Sequence, residues 1–364
     1  MAQLLHLDDL SSIEAFASMP RNLAVIGAGL SGITCARTLH DAGHRVHLFE
    51  KSRGFGGRMA TRGSIFGGFD HGAQYFTVRD PRFADLLGTL PGSCKPWNEI
   101  VHVFDRHGRV SAAAAPSSAT HWVACPRMNA LPQRLAGPLV EQGMVNLETR
   151  VVQIARDTAN GWQLQLEGPS GAKHVAAFDG VLLAMPAPQT LQLLAGAGDI
   201  GALKSWCMRL DKVKMAACWT LMLSFARSSA DAASPLWNAA RSTCHDVAWL
   251  ARESSKPERG QSDRWILQAS HSWSDRHLDT DKLHVHQLLT QAFAEITGIA
   301  SQPAHVDSQR WRYAQTVQPL GPSHLWDSDL GIGVCGDWCL GHRVESAFVS
   351  GLELAQAAAL EHLP

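Results

Sequence analysis

Residues 22–62 read NLAVIGAGLSGITCARTLHDAGHRVHLFEKSRGFGGRMATR. An apolar run at 23–26 leads straight into Gly27, Gly29 and Gly32, which is G-x-G-x-x-G with a strand before it and a helix after. Gly27 permits the tight turn, Gly29 leaves room for a pyrophosphate to approach the backbone, and Gly32 lets the helix pack close to the sheet. The helix start, which includes Ser31, presents free N–H groups and a partial positive charge to the phosphates. Ile33, Ala36 and Leu39 share one face of that helix, and Gly43 ends it. A second strand at 45–49 stops at Glu50, followed by Lys51. An acid about 20 residues past the glycines accepts hydrogen bonds from a ribose diol. Strand, glycines, helix, strand and acid in one register predict a dinucleotide site.

The next residues choose the dinucleotide. Gly56, Gly57 and Arg58 follow the second strand directly, and a nicotinamide dehydrogenase has no need of them. A GG-R segment in this place resembles the flavoprotein oxidase and amine oxidase superfamily. There the loop backs the pyrophosphate of FAD and the arginine adds charge-assisted hydrogen bonds.

With 364 residues the chain exceeds one average domain. A formal net charge of -1 gives no excess that points to nucleic acid or to a membrane surface. No apolar run is long enough to span a bilayer. Residues 1–20 carry Asp8, Asp9 and Glu14 and lack the basic start and apolar stretch of a secretory signal, so the expectation is an N-terminal extension on a cytoplasmic protein. The eight cysteines are scattered, and Cys35, Cys218 and Cys335 lie in apolar segments, as reduced buried thiols do. Cys335 and Cys339 have no second pair to complete a zinc set, and His284 and His286 share no face of a helix or strand. We expect no metal.

Further along, residues 69–76 (FDHGAQYF) read as a strand running into a glycine turn that brings Gln74 and Tyr75 to the redox site. Asp80-Pro81 breaks the strand ahead of a short helix with Phe83, Leu86 and Leu87. A hairpin turns at His107-Gly108. A small-residue loop spans 112–118, extended chain 121–126, and a helix 128–139. Segments 146–154, 162–166 and 175–184 predict a three-stranded meander, with Val151 against the adenine. The run at 181–184 reads as a buried parallel strand. Pro186 and Pro188 mark a crossover. Beyond it, strands at 216–225, 245–251 and 265–270 and an amphipathic helix at 283–297 predict a mostly antiparallel second unit. The chain returns to the cofactor with a strand at 331–334, Gly336-Asp337, and a helix from about 343 to 360. That helix start, near Val344, is placed to stabilise negative charge on a reduced flavin.

With these segments in view the chain resembles the bacterial renalases, small flavoproteins related to the amine oxidases. HLFEKSRGFGGRM, FDHGAQYFTVRDPRF, LAMPAPQT, WLARESSKP, HSWS-RH, RWRYA and VCGDWCLGHRVESA carry the likeness, from about residue 22 to 360. The resemblance implies an α/β fold: a discontinuous Rossmann-like FAD-binding domain with a three-stranded meander (21–75, 123–186 and 328–364), and a smaller mixed β-sheet/helix substrate domain (76–122 and 187–327). It implies noncovalent FAD, and oxidation of misreduced 2- and 6-dihydro-NAD(P) isomers to NAD(P)+ with reoxidation by O2 to hydrogen peroxide. By match, Glu50, Arg58, Gln74, Tyr75, Val151, Asp337 and Val344 contact FAD, and Tyr75, Phe76, Thr77, Arg79, Trp219, Thr220 and Trp249 contact substrate. Arg127, within Pro126-Arg127-Met128-Asn129, departs from the family pattern and is expected to narrow the pocket or face a substrate phosphate. His342 and Ser346 depart beside the last helix, and His71 precedes Gly72.

A dihydropyridine loses hydride to become aromatic, so the site's task is to hold that carbon near flavin N5, and no catalytic side chain is expected. Trp219, Trp249, Trp273, Trp311 and Tyr313 are candidates for an aromatic wall. One alternative is a flavin amine oxidase acting on a small amine. It would need both tyrosines, Tyr75 and Tyr313, and assistance from a lysine such as Lys212 or Lys214. Another is a non-catalytic FAD-binding protein with its pocket blocked by Arg127 or His342.

Overall fold

The computed structural model describes residues 20–113, 119–157, 161–169, 171–198, 200–226, 235 and 237–360. Most of the N-terminal extension and of the loop at 112–118 lies outside them.

In chain order the first half holds β1 (Asn22–Ile26), α1 (Leu30–Asp41), β2 (Arg45–Phe49), the hairpin β3 (Arg62–Ser64) and β4 (Gly67–Phe69), α2 (Pro81–Gly88), β5 (Cys94–Pro96), β6 (Val101–Phe104), β7 (Val110–Ala113), β8 (Trp122–Ala124), α3 (Ala130–Glu141), β9 (Val145–Asn146), β10 (Arg150–Asp157), β11 (Gly161–Gly168), β12 (Gly171–Phe178) and β13 (Gly180–Leu183). The second half adds α4 (Ala187–Ala195), α5 (Gly201–Leu210), β14 (Lys214–Ser224), β15 (Ala239–Arg241), β16 (Val247–Arg252), β17 (Arg264–Ala269), α6 (His271–Arg276), α7 (Lys282–Thr297), β18 (His305–Gln318), β19 (His324–Asp327), β20 (Ile332–Cys335), α8 (Asp337–Leu340) and α9 (Val344–Leu360).

Three sheets matter. A six-stranded sheet in the order β19-β20-β13-β1-β2-β9 is parallel except at β19. Its central strands are buried on both faces, which is why they read as unbroken apolar runs. The meander β10-β11-β12 forms a second sheet. The seven-stranded sheet β18-β14-β17-β16-β15-β6-β7 is the third.

The sequence expectation for 175–184 merged two strands: β12 closes the meander, and β13, after a turn at Asp179, joins the parallel sheet beside β1. Residues 187–210 differ from expectation too. Leu193, Leu194, Leu203, Trp206 and Leu210 bury in one cluster with Val181, Val334 and Trp338, so α4 and α5 pack on the parallel sheet rather than with the unit beyond the crossover. β19 likewise belongs to the parallel sheet, although it precedes residue 328.

Helix α1 lies against α9 and comes closest where Gly351 meets the Ser31 backbone. A Cβ at Gly351 would stand 2.1 Å from the Ser31 carbonyl oxygen, and one at Gly32 would stand 1.9 Å from that of Gly27. Gly351 thus lets α9 approach α1, whereas Gly32 lets α1 pack on the glycine turn and on the end of the parallel sheet, where its Cβ would also meet the Ala184 Cβ at 3.0 Å.

Candidate active site

A cleft of about 1550 Å³ runs between the parallel sheet and the seven-stranded sheet. It exceeds the roughly 300–1,000 Å³ of an ordinary small-molecule pocket, leaving room for a dinucleotide and a second ligand.

One end is built from the glycine segments. Gly27 has φ +108°, and a Cβ there would meet the Ala184 carbonyl oxygen at 2.7 Å, so the turn after β1 tolerates only glycine. At Gly29 a Cβ would meet nothing within 4 Å, and the backbone lies open. Gly29 bridges Gly56, which folds the GG-R loop onto the first turn. The Glu50 carboxylate accepts from the backbone N–H of Ala28 and of Ser52, both at 2.8 Å, and lines the cleft with Lys51. Arg58 meets Asp337 in a bidentate pair, with one nitrogen at 2.8 Å, tying the first loop to the last motif. The expectation gave Arg58 and Asp337 separate tasks on the cofactor. In the structure they are first of all each other's partners, and the guanidinium keeps donors to spare. Ser31, Gly57, Val151, Gly336 and Val344 also line this end. Two helix starts, those of α1 and α9, therefore face the same space.

Loop 70–76 forms the wall between the two ends. The Gln74 amide donates to the carbonyls of Asp70 and Gly72, and its oxygen accepts from Lys256 Nζ at 3.1 Å. Lys256 is fully buried and also pairs with Glu253 and, at 3.6 Å, with Asp70. Asp70 accepts from Arg259 at 2.7 Å, from Thr61 at 2.6 Å and from the Met128 N–H at 3.0 Å. Burial alone would raise the Asp70 carboxyl, but Lys256, Arg259 and these hydrogen bonds hold it below its ordinary value. For Glu253, burial outweighs Lys256 and the carboxyl is raised. This ion cluster sits behind the wall and fixes its shape.

The other end is aromatic and polar. Tyr75, Trp249, Trp311 and Tyr313 line it, as do Phe76, Thr77 and Arg79. The Tyr75 ring stacks on His121 with centroids 3.8 Å apart. His121 pairs through Nδ1 with Glu99, and both side chains are about nine-tenths buried. Burial raises the Tyr75 phenol, Arg241 draws it down, and Glu99 pushes it up. His71 stacks on Trp311 with centroids 5.2 Å apart and accepts that indole N–H at its backbone oxygen.

Trp219 and Thr220, expected at the substrate, do not line the cleft. Neighbours on a strand point to opposite faces. On β14 it is Cys218 that reaches the cleft, while Trp219 turns into the core beside Trp273 and Leu289 and donates to the His277 carbonyl at 2.8 Å. Thr220 shares the cleft-side face but is fully buried between Gln268 and Gln309. Trp273 is core as well. Arg127 is exposed and lines no part of the cleft, so it neither narrows it nor faces a ligand there. His342 does line it. Neither Lys212 nor Lys214 does.

Sequence reading missed Glu99, His121, Arg241, Gln268, His271 and Gln315, all in the lining. They come from β15, β17, β18, the start of α6 and the residues beside β5 and β8, and of them only His271 falls in a segment that carries the family likeness, HSWS-RH. Among the described residues no group of His, Cys, Asp and Glu could hold a metal ion. No helix among them is long and apolar enough to cross a membrane.

Comparison with known proteins agrees with this geometry. The family described as flavin containing amine oxidoreductase matches residues 93–359, and an NAD(P)-binding Rossmann-like domain matches 25–90. The chain belongs to the flavin-containing amine oxidoreductases and has a mixed α/β, Rossmann-like fold.

Among curated proteins, the 4-hydroxybenzoate brominase (decarboxylating) of Pseudoalteromonas luteoviolacea is 52% identical over 44 residues, 12% of this chain and 8% of that protein. The L-amino-acid oxidase of Mus musculus is 43% identical over 44 residues, 12% of this chain and 7% of the other. These matches span about a tenth or less of the relatives' own length. Cyclohexylamine oxidase from Brevibacterium oxydans IH-35A superposes with a TM-score of 0.69 over 94% of this chain and 99% of the other, at 16% identity, which is a likeness of fold.

The residues present suit the flavin that the family implies. The open backbone at Gly29, the oriented Glu50 carboxylate and the two helix starts form a cradle of the required chemistry.

Proposed function

We propose that this protein oxidises dihydronicotinamides, the 2- and 6-dihydro isomers of NAD(P), with FAD bound noncovalently along the glycine end of the cleft. The observation that carries the reading is the chemistry of the opposite end, where flat aromatic side chains stand beside unspent amide groups. Tyr75, Trp249, Trp311 and Tyr313 give stacking surfaces for a planar ring. The Gln268 amide nitrogen donates to the Gly72 carbonyl at 2.7 Å, and the Gln315 amide oxygen meets His271 at 2.7 Å. That leaves an acceptor on Gln268 and a donor on Gln315, the complement of a carboxamide.

When bound, the flavin supplies the hydride acceptor and passes the electrons to O2. The chain's own residues bind, orient and exclude water. Gln74, locked by Lys256, would hold loop 70–76 in place beside the cofactor. Glu50 and the start of α1 hold the cofactor's ribose and phosphate end. No proton leaves the reacting carbon of a dihydropyridine, so positioning is the main demand.

The test is anaerobic stopped flow with chemically prepared 2- and 6-dihydro-NAD(P). Flavin bleaching much faster than with ordinary NADH is expected, and equal or slower bleaching removes the reading.

Amine oxidation is the second reading, and one observation favours it. Tyr75 and Tyr313 both reach the cleft, with Glu99 and His121 as a proton acceptor beside Tyr75. Peroxide release from a panel of primary and secondary amines, with no response to the dihydronicotinamides, would select it.

A further inference from the structure

We propose that Arg241 recognises an anionic group, a phosphate, carried by the substrate outward from its reacting ring. This rests on the dihydronicotinamide reading, in which the ring belongs to a nucleotide.

The register of the seven-stranded sheet supplies the geometry. Gln309 lies opposite Thr220, Thr220 opposite Gln268, Gln268 opposite Trp249, and Trp249 opposite Arg241. Residues directly opposite one another share a sheet face, so these five make a single transverse row. All but the covered Thr220 line the cleft. The row passes from amides, through an indole, to a cation. Strands lie about 4.8 Å apart, so the guanidinium stem starts one strand beyond Trp249, on the side away from the amides.

Arg241 is exposed, and among the described residues its guanidinium has no hydrogen-bond or ion-pair partner. The nearby carboxylate of Glu99, whose charge Tyr75 also feels, is engaged by His121. Other arginines of the cleft are committed or lie elsewhere: Arg58 pairs with Asp337, Arg310 and Arg312 pair with Asp279, and Arg150 lies at the glycine end, on β10 beside Val151. Arg79 and Arg343 stand by the start of α9, off this row. A planar fork of donors beside a stacking surface suits a phosphate joined to a flat ring through a ribose, since guanidinium and phosphate match bidentately.

The experiment uses the holoenzyme and its Arg241→Gln and Arg241→Lys variants, with thermal melts and flavin spectra confirming the fold. Stopped flow compares two reductants with the same ring: a dihydro isomer of NAD, and the corresponding isomer of N-methylnicotinamide, which has no phosphate. Arg241→Gln is expected to lower the preference for the dinucleotide by about tenfold or more, the scale of one lost charge-assisted contact, with Arg241→Lys between. An unchanged preference overturns the proposal. Calorimetric titration with ADP gives a readout independent of turnover: binding to the wild type that Arg241→Gln abolishes upholds anion recognition. ADP binding that is absent, or equal in both proteins, overturns it. Should neither ring reduce the flavin, the dihydronicotinamide reading falls while the ADP titration still decides on Arg241.

Discussion

Lys256 shows how a single side chain shapes the site without lining it. Its ammonium is buried among Glu253, Asp70 and the Gln74 amide, and it lies 5.6 Å from the Trp97 ring centroid. Lys256→Met removes the charge and leaves two carboxylates underpaired in a dry environment. Breaking a buried pair in this way costs about 3–5 kcal/mol, to be read as a drop in unfolding free energy by urea titration. A loss below about 1 kcal/mol would mean that water reaches the cluster. His71 gives a pH signature. Burial, with Arg62 adding to it, lowers its imidazole from 6.5 to about 4, while Asp70 and Asp307 pull the other way. Between those values the unfolded chain takes up a proton that the folded one refuses. The contribution of neutral His71 is therefore complete above pH 6.5, declines as pH falls toward 4, and is flat below. It amounts to about 3 kcal/mol across the window. His71→Gln should lose that slope, so the stability difference between variant and wild type should change between pH 7 and pH 4. A constant difference would place His71 in contact with water.

At the scale of elements, α1 and α9 decide where two helix starts point, and Gly351 at their contact sets the distance. Gly351→Ala forces a methyl against the Ser31 carbonyl, where backbone must give way. The expected cost is about 1–3 kcal/mol, together with lower flavin occupancy, because both helix starts shift. Gly88→Ala on α2 is the control: a Cβ there meets nothing within 4 Å and no proline follows it, so the helix gains about 0.5–1 kcal/mol and flavin content stays as it was. Thermal melts and the flavin-to-protein absorbance ratio of the two variants separate these outcomes. The same elements show why some of the fold was legible. α1 and β2 announce themselves because glycine spacing and apolar period coincide over 22–49. β18 does not. Its sequence, HVDSQRWRYAQTVQ, is polar on both faces, since Gln309, Trp311, Tyr313 and Gln315 serve the cleft and Asp307, Arg310 and Arg312 form ion pairs. A strand spent on a ligand lacks the alternation by which strands are recognised. Trp219 failed for a related reason: choosing the face of β14 requires knowing which side the cleft is on, and the burial of its last nine residues hides the period.

For the whole molecule the governing fact is that the glycine end of the cleft is assembled from segments far apart in the chain. β1 and β2, the loop at 56–58, β10, the segments that follow β13 (184–186) and β20 (336–337) and the start of α9 all contribute to one surface, and the Arg58–Asp337 pair joins residues 279 positions apart. Such a surface was only partly legible in the sequence. Each glycine motif carries its own signature, but the pairing of Glu99 with His121 exists only once β5 has met β8, and the row ending at Arg241 only once the seven-stranded sheet has formed. A ligand that touches every segment stabilises the assembled state and not the unfolded chain, so its binding free energy adds to folding. Stripping the flavin should lower the melting temperature, and adding FAD back at about 100 times its dissociation constant should restore roughly 2.7 kcal/mol, rising with the logarithm of FAD concentration. Riboflavin lacks the phosphates and ribose that Glu50 and the start of α1 would hold, so it should restore little. Equal rescue by riboflavin would show that the glycine end contributes no binding energy. Thermal melts of the apoprotein across both titrations settle the point.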